Sequence, residues 1–188
     1  MVTITALWLA ILVSAALAWI ASALVWTVLP HHKKDFEGVP DEEAARNALT
    51  GDLAPGQYNI PHVESQEQMK QPEVVKKFDD GPVGFLTVLP KGVPNMGKNM
   101  GLSFVYNIFV SIVVAYLASR TLDADASYLS VFRIAGTTAW LAYGTAVIPD
   151  AIWFGRPWSA IGKNLGDALL YGLLTAGAFG WLWPGPAA

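Results

Sequence analysis

The run from Val2 to Leu29, VTITALWLAILVSAALAWIASALVWTVL, contains no charged side chain. About 20 consecutive apolar residues are enough for a helix to cross the hydrocarbon core of a bilayer, so the run predicts a transmembrane helix. A cleaved signal peptide is the alternative, but the run is too long for an h-region and no Lys or Arg precedes it. Trp8 and Trp26 are eighteen residues apart, roughly 27 Å along a helix, and are expected to anchor it at the two membrane interfaces.

The rest of the composition agrees with a bilayer as the main solvent. Hydrophobic residues make up 53% of the chain, charged residues only 14%, and the mean hydropathy is +0.38. Three more apolar runs predict spans at about residues 101–119, 128–152 and 165–183, joined by short loops that favour antiparallel neighbours. The predicted fold class is an all-α membrane protein with four transmembrane helices: residues 1–29, a polar segment 30–100, and a three-helix region 101–188.

The distribution of basic residues predicts the orientation. Ten of the twelve Lys and Arg residues lie in segment 30–100 or in the short loop that carries Arg156 and Lys163, and only Arg120 and Arg133 lie on the other side. The positive-inside rule therefore places segment 30–100 in the cytoplasm and both termini outside. The scattered basic residues form no stripe with interleaved aromatics, which argues against nucleic-acid binding.

Segment 30–100 is predicted to form a small cytoplasmic cap with αβ or irregular structure. It has two helix signatures, at Pro40–Leu49 and Gln71–Phe78, with acidic residues opening the first and lysines closing the second. Two possible strands, GQYNIPHV and VGFLTVLP, favour a two-stranded ribbon. The stretch GVPNMGKNMG at 92–101 lacks the residue order of a phosphate-binding loop and is interpreted as a hinge into the second span.

Small or weakly polar residues recur every fourth position on three spans and predict faces where helices pack closely. These positions are Ala6, Ala10, Ser14, Ala18 and Ser22; Ser103, Asn107, Ser111, Ala115 and Ser119; and Ala168, Gly172, Ala176 and Gly180. The faces could serve packing within the chain or contact with another subunit. Asn107, inside its span, is expected to bond to a neighbouring helix. Arg133, near a span end, is expected to reach the interface or pair with Asp123 or Asp125.

The search for chemistry leaves few candidates. The chain has no cysteine, none of its three histidines lies within a predicted span, and no catalytic constellation is present, so no catalytic, cofactor or metal residues are assigned. Four residues near the ends of the third and fourth spans form a candidate cluster: Asp150, Arg156, Lys163 and Asp167. An ion-paired turn, including a Lys163–Asp167 pair at i, i+4, is the favoured interpretation. A carboxylate of Asp150 turned into the bundle would instead be a proton-relay or ion site. Trp153 and Trp158 flank the turn as interface anchors.

The run His31-His32-Lys33-Lys34-Asp35 allows a second interpretation. It could seed a metal site with His62 and a carboxylate, but it shows no recognised ligand spacing and its lysines disfavour a cation. A basic run directly after a span is more typical of contact with anionic lipid head groups, which is the interpretation favoured here.

Two stretches carry a resemblance: GPVGFLTVLPKGVPNMGKNMGLSF at 81–104 and IPDAIWFGRPWSA at 148–160. They resemble a family of bacterial multi-pass inner-membrane proteins that has no assigned function. The resemblance implies a location in the bacterial inner membrane. It transfers no activity and no catalytic residues to this chain.

The functional hypothesis is an accessory or structural membrane subunit, without enzyme activity or cofactor, that packs against a larger complex of a photosynthetic or respiratory kind. Its partners would be the lipid bilayer and other membrane subunits. The alternative hypothesis is a small transporter or an ion- or proton-conducting protein. In that case Asp150, Asp167 and Asn107 would line the path.

Overall fold

The computed structural model describes residues 2–49 and 53–185 of the chain. In chain order the elements are a 3₁₀ turn at Ile4–Leu7, α1 (Trp8–Thr27), a 3₁₀ turn at Pro30–His32, α2 (Glu42–Ala48), β1 (Gly56–Ile60), α3 (Gln66–Met69), α4 (Pro72–Asp80), β2 (Gly84–Val88), α5 (Met96–Thr121), α6 (Tyr128–Gly144), a 3₁₀ turn at Thr145–Val147, α7 (Ile148–Phe154) and α8 (Trp158–Trp181). They divide into two compact units. The bundle unit comprises described residues within 2–36, 95–152 and 156–185, and the ribbon unit those within 37–94 and 153–155.

Three helices of the described chain are long and apolar enough to cross a membrane: Ile4–Thr27, Met96–Thr121 and Tyr128–Phe154. The fourth predicted span is not among them. Its helix, α8, has 24 residues. Asn164, Asp167 and several glycines lower its hydropathy.

Two helices begin earlier than the apolar runs predict. The side chain of Asn95 accepts a hydrogen bond from the backbone N–H of Lys98 at 3.0 Å, so α5 starts at Met96 and not at residue 101. The predicted hinge at 92–101 is therefore half helix. Pro157 precedes α8, which starts at Trp158 instead of residue 165. Polar side chains lower the hydropathy of these first turns, so the apolar runs alone place the two helix starts too late.

Four helices of the bundle unit pack in a closed arrangement, in which α1 contacts α5 and α8, and α6 contacts the same two helices. The predicted small-residue faces lie at these contacts. Ser14 Oγ and Ser111 Oγ form a buried hydrogen bond of 2.9 Å between α1 and α5. Between α6 and α8, a Cβ built at Gly172 would lie 3.2 Å from the backbone oxygen of Gly136. At these positions the faces pack within the chain, whereas Ala6 of the first face is exposed.

Asn107 bonds to a neighbouring helix, as expected. Its side-chain oxygen accepts from the Tyr143 hydroxyl of α6 at 3.1 Å, while its amide nitrogen donates to Ser103 O one turn back at 2.7 Å. Arg133 was expected either to reach the interface or to pair with Asp123 or Asp125; its side chain is exposed, and the described residues show no ion pair for it.

The ribbon unit confirms the two-stranded ribbon. β1 and β2 pair antiparallel, from Gly56 opposite Val88 to Ile60 opposite Gly84. Both predicted helices are present with shifted ends, as α2 and α4, whereas the single turn α3 was not predicted. The side chain of Asp41 accepts from the backbone N–H of Ala44 at 2.8 Å and so caps α2.

The close approach of α6 and α8 gives a test of the packing. Gly172→Val places a branched side chain against Gly136 O and against the Trp140 backbone nitrogen, 3.3 Å from an added Cβ. Neither backbone atom can move without separating the helices. We therefore expect the free energy of unfolding to fall by about 1–3 kcal/mol, detected as a lower melting temperature in detergent. Gly166→Val is the matched control on the same helix, since an added Cβ there meets nothing within 4 Å. Equal losses in the two variants would contradict this packing.

Candidate functional site

The turn after α1 carries two histidines into the bundle unit. The helix ends at Thr27, and Pro30 then opens a 3₁₀ turn over Pro30–His32. The backbone N–H of Asp35 donates to His32 O at 3.0 Å and tightens the following turn. The imidazole of His32 stacks on the Trp26 indole with ring centroids 3.9 Å apart and planes 2° apart. A residue next to charged neighbours in sequence is thereby buried.

The ring of His32 bridges two carboxylates. Its Nδ1 lies 2.6 Å from Asp35 Oδ2, and its Nε2 lies 2.6 Å from Asp167 Oδ2. An ionised carboxylate oxygen only accepts hydrogen bonds, and either ring nitrogen of His32 can donate one, so the ring links the two acids. The side chains of His32 and Asp35 are each 4% exposed and that of Asp167 is 13% exposed, so this array is largely shielded from water.

His31 and Lys163 complete the array, which we call the His–Asp cluster: His31, His32, Asp35, Lys163 and Asp167. His31 Nε2 lies 3.2 Å from the second oxygen of Asp167. The Lys163 ammonium donates to the second oxygen of Asp35. Each carboxylate therefore uses both of its oxygens.

The pKa of the Asp35 carboxyl lies below its usual value because the hydrogen bond with His32, and after it the hydrogen bond from Lys163, favour the ionised form. The cluster sets the carboxylates of Asp35 and Asp167 against the Lys163 ammonium and two imidazoles. Hydrogen bonds among these groups offset the cost of placing five ionisable side chains in one mostly buried place.

Helix α8 supplies two members of the His–Asp cluster and continues it with polar residues. Lys163 and Asp167 are one turn apart, and Tyr171 and Thr175 follow at the same spacing. Both hydroxyls are buried, and neither makes a well-aligned hydrogen bond to any described residue. The ring of Tyr143 packs edge-on against Tyr171 at 5.8 Å. The hydroxyls of Tyr171 and Thr175 thus form a row along α8, which extends from the cluster toward Tyr143 and its hydrogen-bond partner Asn107.

This row of hydroxyls ends at an apolar core farther along the helices. Phe179 lies one turn beyond Thr175 and is fully buried, together with Leu7, Val114 and Val131 from other helices. The bundle is consequently polar at the end that holds the cluster and apolar at the other.

The structure divides the four-residue cluster predicted from the sequence. Asp150 pairs with Arg156, whose Nη1 lies 3.7 Å from Asp150 Oδ2, and the Asp150 side chain is 44% exposed. Asp150 is thus ion-paired near the surface and does not face the bundle interior. The expected Lys163–Asp167 pair is wrong, because Lys163 turns to Asp35 and Asp167 turns to the two histidines.

The sequence interpretation of the histidine run was also incomplete. His62 Nδ1 bonds to Asn59 Oδ1 at 2.9 Å within the ribbon unit, and the group of ligand-type residues found around His31 and His32 does not include it. Their partner is Asp167. The signal available beforehand was topological: if the first and fourth spans cross, the end of one and the start of the other lie on the same side of the membrane.

The four proposed tryptophan anchors differ in their surroundings. Trp8, Trp153 and Trp158 are largely exposed. Trp26 is partly exposed and also forms the stacking wall behind His32. Trp26 therefore packs against His32 in addition to its proposed role as a membrane anchor.

Three ligand-type groups converge at one point of the described chain. One nitrogen of His31, one of His32 and a carboxylate oxygen of Asp167 all lie within 4.8 Å of one another. Imidazole and carboxylate are ligands for transition-metal ions, and a carboxylate–imidazole–carboxylate series can also hold or pass a proton.

No protein-family model, curated protein or solved structure matches this chain.

The two ion-paired aspartates allow a matched comparison. Asp35→Asn removes a carboxylate that is 4% exposed and holds both Lys163 and the His32 ring. Asp150→Asn removes one partner of an exposed pair, where losses of about 0–1 kcal/mol are usual. We expect Asp35→Asn to lower the melting temperature clearly more than Asp150→Asn at neutral pH. An equal or smaller effect of Asp35→Asn would contradict a structural role for the His–Asp cluster.

Proposed function

We propose that this chain is an accessory or structural subunit of a larger complex in the bacterial inner membrane. In this proposal α8 crosses the membrane as a fourth span, segment 30–100 lies in the cytoplasm and both termini lie outside. The contact between α8 and α6 along Gly136, Gly144 and Gly172 supports the fourth span, because a helix so closely packed against a membrane-spanning neighbour shares its environment.

The observation that carries the proposal is the use of the polar groups within the bundle unit. Asn107 holds Tyr143, and Ser14 holds Ser111, so these groups join helices to one another. Asp150 is neutralised by Arg156. Such an arrangement supports a packing role more than a reaction, for which an acid, a base and a substrate cavity would have to meet.

A groove on the outside of the bundle unit supports contact with a partner helix. It has a volume of 470 Å³, lies between α1 and α8 with Tyr128 at its edge, and has a floor of small residues with large apolar side chains on both sides; its lining residues include Val13, Leu17, Tyr128, Leu173, Gly177 and Trp181. In lipid, helices associate through close van der Waals contact at small residues. A transmembrane helix of another subunit, with its apolar side chains seated over Gly177, is the occupant that we propose.

The alternative is conduction of ions or protons. One observation favours it, namely the row of hydroxyls that follows Asp167 along α8. Two observations weigh against it. The row of hydroxyls ends at the buried apolar core around Phe179. Asp150, Asp167 and Asn107, the three groups expected to line a path, are each bonded to different partners.

The groove proposal can be tested by crosslinking in native membranes. We expect a photoreactive amino acid in place of Leu173, inside the groove, to give one discrete protein adduct. The same group in place of Phe109, an exposed position on α5, is the control and should give lipid adducts. Gly177→Leu, which fills the groove, should abolish the Leu173 adduct, whereas Gly166→Leu should preserve it. Lipid adducts alone at Leu173, from a protein that migrates as a monomer in mild detergent, would contradict the proposal.

The orientation has its own test, for which the absence of native cysteine is convenient. Ser65→Cys, exposed in the ribbon unit, should react with a membrane-impermeant maleimide only after the cytoplasmic side is opened. Asp125→Cys, exposed between α5 and α6, should react in intact cells with a permeable outer membrane. The reverse pattern would overturn the orientation and leave the bundle packing unaffected.

A further inference from the structure

We propose that His31, His32 and Asp167 form a binding site for a divalent transition-metal ion of the Zn²⁺ type. The inference is independent of the proposed subunit function. It rests on the convergence of two imidazoles and one carboxylate from distant parts of the chain, the end of α1 and the first half of α8.

The two imidazoles approach different oxygens of Asp167, and one ligand atom from each of the three residues lies within 4.8 Å of the others. Bonds of about 2.0 Å in tetrahedral geometry separate neighbouring ligand atoms by roughly 3.3 Å. His31 Nε2 and Asp167 Oδ1 are 3.2 Å apart. His32 Nε2 and Asp167 Oδ2 are 2.6 Å apart, joined by a hydrogen bond. An entering metal ion would replace the proton of that bond and widen the gap by roughly 0.7 Å, a shift within reach of side-chain rotation.

Support around the ligands has the arrangement that metal sites use. A ligating imidazole commonly donates its second N–H to a carboxylate, which fixes the tautomer and the ring orientation. His32 does this through Nδ1 to Asp35 at 2.6 Å, and the ring is held flat against Trp26. Lys163 bonds to Asp35 and not to the ligands, so the nearest ammonium acts on the supporting carboxylate. Lys33 and Lys34, which argued against a cation from the sequence, are exposed.

The donor set indicates the class of metal. Two imidazole nitrogens and one carboxylate favour Zn²⁺, Co²⁺ or Ni²⁺ over Mg²⁺ and Ca²⁺, which prefer oxygen ligands. Three protein ligands leave a fourth position for water or an outside ligand. The His31 side chain, 33% exposed, gives that position access to solvent, whereas the His32 side is closed.

Titration of the full-length protein in detergent, after chelator treatment, tests the site with Zn²⁺ itself. We expect one ion per chain by isothermal titration calorimetry, and Co²⁺ to give the absorption bands of a site with four or five ligands. His31→Ala and Asp167→Asn should each weaken Zn²⁺ binding at least about tenfold, and Asp35→Asn about 10–100-fold through the ring of His32. Mg²⁺ at the same concentration should not bind.

Two matched controls separate the site from general affinity of histidine and carboxylate. His62→Ala removes a histidine bonded elsewhere, and Asp150→Asn removes the aspartate paired with Arg156; both should bind Zn²⁺ like the unmodified protein. Should Asp167→Asn fail to fold, His31→Gln at the partly exposed ligand replaces it. The proposal is overturned if no stoichiometric binding occurs at micromolar Zn²⁺, or if the control variants weaken binding as much as the ligand variants do.

Discussion

The contact between the backbones of α6 and α8 is the constraint on which the bundle unit depends. Helices in lipid gain nothing from hiding apolar side chains from one another, so they must gain from short contact distances. Glycine at positions 136 and 172 permits that contact, and it fixes the rotation of α8 about its axis. With this rotation set, Asp167 faces the turn after α1, and Tyr171 and Thr175 face the interior.

The polarity of the bundle unit is strongly uneven along its length. At one end, five ionisable side chains hydrogen-bond to one another around the ring of His32. At the other, Leu7, Val114 and Phe179 pack together in a buried apolar cluster. A charged side chain inside hydrocarbon is costly, and pairing near a helix end is the least costly way to keep it. The lone cross-helix polar contacts between the two ends, such as that of Asn107 with Tyr143, are neutral.

Local sequence rules explain most of the fold and little of the site. Length, apolarity and spacing of small residues were sufficient for α1, for the face with Ser14, and for the ribbon strands, because each depends on residues close in sequence. The His–Asp cluster depends instead on residues separated by more than a hundred positions, and adjacent lysines made the run at His31 resemble a lipid anchor. Asn107 was foreseen because an amide in a span needs a partner, whereas the identity of that partner, Tyr143, required the helix arrangement.

The 3₁₀ turn at Thr145–Val147 changes the direction in which the side chains after it project from the helix axis. In an uninterrupted α-helix, Asp150 would trail Ala139 by eleven steps of about 100°, and would project within about 20° of that fully buried residue. Three residues at about 120° each advance the phase by about 60°. This added rotation points away from the direction of Ala139, in agreement with the exposure of the carboxylate and its pair with Arg156. One turn of altered winding therefore separates a position that faces the other helices from one that allows a surface ion pair.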